Sequence, residues 1–71
     1  MFDKAKFRAA LALSGMTMEQ LSAKIGINPA TLSKKVNGAT QFSHSEICMI
    51  RILLSLSMEQ MEAIFFAEEI A

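Results

Sequence analysis

A single cysteine among 71 residues excludes an intramolecular disulfide framework and a zinc finger built on cysteine pairs. One proline and three glycines are too few for a collagen-like or low-complexity chain, and an apolar share of 52% is too high for a disordered one. Long hydrophobic runs are missing too. The stretch from Ile47 to Leu56 is too short to span a bilayer, and Arg51 interrupts it. Asp3 stands among the N-terminal charges and only a short Ala/Leu run follows, so no secretory signal is expected. Residues 1–71 are therefore read as one small domain in a reducing cytoplasm, with no membrane partner.

Catalytic groupings are equally scarce. No acid, base and nucleophile can be assembled, Cys48 has no histidine placed by motif as its base, and there is no Gly-rich phosphate loop. An enzyme, a cofactor and a small-molecule substrate are not expected. His44 and Cys48 lie four apart on one helix face, a spacing that suits a metal. Two ligands do not make a site, however, and no metal is expected.

Excess charge of either sign is also absent, since the formal net charge is zero, but the charges are segregated. Residues 1–38 carry Lys4, Lys6, Arg8, Lys24, Lys34 and Lys35 against Asp3 and Glu19, a net of +4. Residues 39–71 carry Arg51 against Glu46, Glu59, Glu62, Glu68 and Glu69, a net of −4. An anion is drawn to the first half and repelled by the second. Lys4, Lys6 and Arg8 can touch phosphate, although a solvated helix face is the commoner meaning of such a trio.

Helix starts are written repeatedly. Thr17 with Gln20, Ser43 with Glu46 and Ser57 with Gln60 each form a capping box, in which the hydroxyl accepts from the third helical N–H and the Glu or Gln reaches back. Apolar pairs frame them as hydrophobic staples: Met16 with Leu21, Phe42 with Ile47, and Leu56 with Met61. Asn28 caps a further helix with Pro29 at its first position and Ile27 stapled to Leu32. Asp3 caps the first. Gly15, Gly26 and Gly38 supply stops. The spacing predicts helices near 4–14, 18–25, 29–37, 44–55 and 58–69, and no strand. The fold class is all-α.

Between the second and third helices only Gly26, Ile27 and Asn28 remain. So short a link forces a steep crossing, the geometry of a helix-turn-helix, with Leu21, Ile25, Ile27, Leu32 and Val36 inside. Opposite Leu32 on the third helix lie Ala30, Ser33, Lys34 and Asn37, a small and hydrogen-bonding face that can enter a major groove. Backbone N–H groups opening the second and third helices can hold phosphates.

The run MTMEQLSAKIGINPATLSKKVNG (16–38) resembles the helix-turn-helix of the Cro/C1-type family of phage repressor-like regulators. Thr17, Leu21, Ser22, Ala23, Gly26, Ile27, Thr31, Leu32, Ser33, Asn37 and Gly38 carry the resemblance, and Phe42, Glu46, Ile47 and Leu54 fit the family's fourth helix. The length and the Ile64-Phe65-Phe66 ending resemble small Cro-like proteins of temperate phages. The resemblance implies a compact five-helix domain that binds double-stranded operator DNA, usually as a dimer, in a lysis–lysogeny switch of a bacterial host cell. It also implies that Pro29, Ala30, Ser33 and Lys34 face bases, with Thr17, Met18, Asn28, Thr31, Lys35 and Asn37 at phosphates or flanks. Met18 departs from the Gln that often opens the second helix, and Pro29 and Ala30 lack the hydrogen-bonding groups many relatives use. Arg51 stands near the core edge, where relatives often carry a small apolar residue.

Apolar residues exceed one core stripe. With Ile47, Ile50 and Leu54 facing inward, Cys48, Met49 and Ile52 point away and Leu53 sits at the margin. Met49, Ile52, Leu53, Phe65 and Phe66 are thus expected at a partner interface, either of a homodimer or of a heterocomplex with a partner repressor. The blander alternative is that the fifth helix simply covers the fourth.

Overall fold

The computed structural model describes residues 1–67. Five helices follow in order: α1 (Lys4–Leu13), α2 (Met18–Ile25), α3 (Pro29–Val36), α4 (His44–Leu53) and α5 (Met58–Phe65). No strand occurs among the described residues.

Each helix opens as its cap dictates. Thr17, Ser43 and Ser57 form complete capping boxes with Gln20, Glu46 and Gln60, while the Asp3 and Asn28 side chains accept from the N–H groups of Lys6 and Ala30. These bonds satisfy backbone donors that would otherwise be orphaned in the first turns. At the end of α2, the Ser22 carbonyl accepts from both Gly26 and Ile27. Gly26 does this at φ 85°, a left-handed conformation that costs an L side chain about 1–2 kcal/mol.

Four helices end sooner than the spacing predicts, α1 and α3 by one residue each and α4 and α5 by more. α4 stops at Leu53 rather than 55, where Ser55 turns the chain at φ 54° although it is no glycine. The Leu56 N–H bonds back to the Arg51 carbonyl, and the Arg51 guanidinium reaches the Leu56 carbonyl at 3.3 Å. α5 stops at Phe65, and the remainder of its expected span, to 69, extends outside the described residues.

Packing follows the stripes. Leu21 and Leu32 are fully buried where α2 crosses α3, and Val36 continues that contact. Phe7, Leu11, Ile50, Leu54, Leu56, Ile64 and Phe65 complete the core. Ile25 and Ile27 are only half-buried against it, at the edge of the crossing. Ser22 is buried too; its hydroxyl donates to the Glu19 carbonyl at 2.8 Å, so a small polar residue enters the core already satisfied. α2 packs on both α3 and α4, while α1 packs on α5. Phe2 packs tilted at 5.2–5.4 Å against Phe7, Phe42 and Phe65, and the segment before α1 is tied to the end of α5 by Asp3 N–H to the Ile64 carbonyl (2.6 Å) and Ala67 N–H to the Met1 carbonyl (3.0 Å).

One carboxylate oxygen closes the segment between α3 and α4. Glu46 Oε1 accepts from the Ser43 N–H at 2.7 Å and from Lys35 Nζ at 3.0 Å, and Lys35 also donates to the Gln41 carbonyl at 3.1 Å. The Glu46 carboxyl is held below its ordinary value of 4.5, chiefly by the Ser43 N–H. Partial burial opposes this shift, and the Lys35 ammonium adds to it.

Gly26→Ala is expected to lower the melting temperature by about 4–8 °C, for a backbone cost near 1 kcal/mol. An added Cβ meets nothing within 4 Å, so the loss reports conformation rather than a clash. Glu46→Gln keeps the box but removes the charge facing Lys35, which is expected to cost about 1 kcal/mol at neutral pH. A depressed carboxylate stabilises the fold above its unfolded value and loses that contribution as pH falls through the lower folded one. The wild-type advantage in thermal melts should therefore begin to fall near pH 4.5 and disappear only below the lower folded value, and an advantage constant with pH would contradict the pairing.

Candidate nucleic-acid interface

α3 is eight residues long, about 12 Å at the helical rise. Its inner face is set by Leu32 and Val36, which leaves Pro29, Ala30, Thr31, Ser33, Lys34 and Asn37 exposed. The outward face is small and polar, and Lys34 makes no ion pair among the described residues. All four residues expected to face bases, Pro29, Ala30, Ser33 and Lys34, lie on the surface of one helix.

Thr17 and Asn28 are exposed as well, and their side chains are engaged as the caps of α2 and α3. Met18 is half-buried, and its side chain packs against the core rather than standing free at the opening of α2. Asn37 ends α3 with its Oδ1 accepting from Lys4 Nζ at 2.9 Å and its Nδ2 set 3.5 Å from Ser33 Oγ.

Lys35 departs from expectation. Its side chain is 14% exposed and its ammonium is bound by Glu46 and the Gln41 carbonyl, so it braces the segment after α3 instead of reaching outward. Nothing local announces this pairing, because Lys35 and Glu46 are eleven residues apart and the capping motif already accounts for Glu46. Lys4 is the reverse case: thirty-three residues from Asn37 in sequence, it joins the end of α3 through tertiary structure alone.

The expected interface set divides. Ile52 is 75% exposed and Met49 38%, with Met58 exposed nearby in sequence at the start of α5. Leu53 and Phe66 are half-buried against the core. Phe65 is corrected to a core residue: it lies edge-on to Phe42 at 5.3 Å and is closed off from solvent. Ile64 is buried in the core beside it, while Met58 stays exposed. On the outer face of α4, Cys48 Sγ lies 3.6 Å from His44 Nε2, and among the described residues no group of three potential metal ligands forms.

Among the described residues no helix is long and apolar enough to cross a membrane. No curated protein and no solved structure matches the chain. The helix-turn-helix family does match, over residues 7–47, which takes in most of α1, all of α2 and α3, and the first turn of α4. With α2 packed on α3 across a three-residue link and the outer face of α3 uncovered, this match establishes that the chain belongs to the Cro/C1-type helix-turn-helix family of DNA-binding transcription regulators.

Proposed function

We propose that the chain is a sequence-specific regulator of the Cro-like type that binds operator DNA by laying α3 in the major groove. The observation that carries this reading is the exposed stripe of Ala30, Ser33, Lys34 and Asn37, held outward by the burial of Leu32 and Val36. In this reading Lys34 donates to a guanine edge and Ala30 meets a thymine methyl, while the first-turn N–H groups left open by the caps, those of Met18 and Glu19 on α2 and of Thr31 on α3, approach phosphates. Thr31 flanks the site. The setting is the cytoplasm of a bacterial host and a temperate-phage switch between lysis and lysogeny, as in the small Cro-like proteins that the chain resembles.

A base set with one cation is a modest reader on its own, since a good bidentate contact is worth about 1–3 kcal/mol. Pairing on a two-fold operator multiplies it. The molecule is 31 Å in its longest extent, so two copies side by side can present α3 to successive turns about 34 Å apart.

A second reading is favoured by Ile52 and Met49, exposed apolar groups on α4. In it the chain is an antirepressor or modulator that docks on a partner repressor through this face, with weak DNA affinity of its own.

Selection from a random duplex library, followed by anisotropy titration, tests the first reading. Lys34→Ala is expected to weaken the selected site by about 1–3 kcal/mol and to relax preference at one base pair. Equal binding of wild type and Lys34→Ala to every duplex would remove Lys34 from the groove. For the second reading, Met49→Glu and Ile52→Glu are each expected to abolish capture of a partner repressor while the helical circular-dichroism signal stays. Full capture by both variants would exclude that face.

A further inference from the structure

We propose that Lys4, on α1, is a phosphate-binding residue that extends the DNA surface of α3 past its C-terminal end. This rests on the reading of α3 as the recognition helix. Lys4 Nζ donates to Asn37 Oδ1 at 2.9 Å, and Asn37 Nδ2 lies 3.5 Å from Ser33 Oγ. Asn37 falls one and two turns beyond Ser33 and Ala30 on the exposed stripe, so this contact brings a cation from a distant helix to the end of that stripe.

The direction of the bonds decides the chemistry of the edge. The Lys4 ammonium has three N–H donors and no acceptor, so Asn37 must turn its oxygen toward Lys4 and its amide N–H groups away. One of these N–H groups meets Ser33 Oγ, which leaves the hydroxyl proton free to donate. What remains for a ligand is the second Asn37 N–H, the Ser33 O–H and two N–H groups of Lys4. Such a donor-rich edge matches a phosphate, whose oxygens only accept, better than a base edge that mixes donors and acceptors.

Local helix energetics do not explain why a lysine stands here. Lys4 and Lys6 occupy the first turn of α1, which contains no acidic residue, so both cations face the positive end of the helix dipole. Lys6 has Asp3 at 4.0 Å in compensation. Lys4 instead crosses to Asn37, where the carbonyl end of α3 favours a cation and both residues stay exposed. With Lys35 engaged by Glu46, Lys4 joins Lys34 as a second exposed ammonium at this end of the recognition helix, and it is the one brought there by tertiary structure.

The experiment compares wild type, Lys4→Ala, Lys4→Gln and Lys4→Arg on the selected operator and on unrelated duplex, between 50 and 200 mM salt. Losing one phosphate contact makes the log–log salt slope shallower by about 0.9, so the wild-type advantage over Lys4→Ala should shrink about 3.5-fold across that range. The loss should be equal on operator and unrelated DNA, because a phosphate contact carries no sequence information. Lys4→Gln can still donate to Asn37 but has no charge, and it should match Lys4→Ala; Lys4→Arg should keep the wild-type slope. A wild-type slope in Lys4→Ala, or full rescue by Lys4→Gln, overturns the proposal and leaves Lys4 as a brace for Asn37. If Lys4→Ala does not fold, the Gln and Arg variants give the same decision. Failure of the wild type to bind any duplex would instead strike the reading of α3 itself.

Discussion

Three residues, Gly26, Ile27 and Asn28, leave α2 and α3 too little chain to run side by side. They must cross, and Leu21 on one and Leu32 on the other lie fully buried in the same core. That constraint sets which side of α3 is spent on the core. Once Leu32 and Val36 are committed inward, the 100° step of the helix places Ala30, Ser33, Lys34 and Asn37 outward. The outward face of α3 is therefore a by-product of packing, and a change in the turn would rotate every candidate contact together.

The crossing alone would leave the far end of α3 hanging from a seven-residue connection, residues 37–43. Glu46 prevents this by serving two elements with one oxygen. It closes the capping box that starts α4 and holds the ammonium that ends α3. The pair is well shielded, with the Glu46 side chain 15% exposed, so it is less screened than a surface bridge. A lysine that charge counting would assign to DNA is used to fix the frame on which Lys34 is displayed.

Local grammar made most of the fold legible in the sequence. All five caps, the three glycine stops and the Pro29 start act over two to four residues, which is the range a sequence shows directly. The end of α4 was harder to see because Ser55 takes a left-handed turn without being glycine. The Ser57 box and its Leu56 staple were the available sign that the preceding helix had to end early. The exposed face of α3 was legible from periodicity once Leu32 was placed inside. Lys35 with Glu46 and Lys4 with Asn37 were not, because those contacts join residues far apart in the chain. Phe65 was misplaced because an apolar surplus does not reveal which members of it a neighbouring aromatic cluster will enclose.

The repeated capping boxes have a kinetic consequence. Each helix start satisfies one or two of its own first-turn donors locally, and the main packing partner of α3 is its immediate neighbour in the chain. The α2–α3 unit closes over a short loop, whereas the packing of α1 on α5 joins residues about sixty apart and carries the larger loop-closure cost. Where re-closing outpaces cleavage, a protease samples the open population rather than the opening rate. Under that condition each cap that holds a helix start also lowers the population open to cleavage.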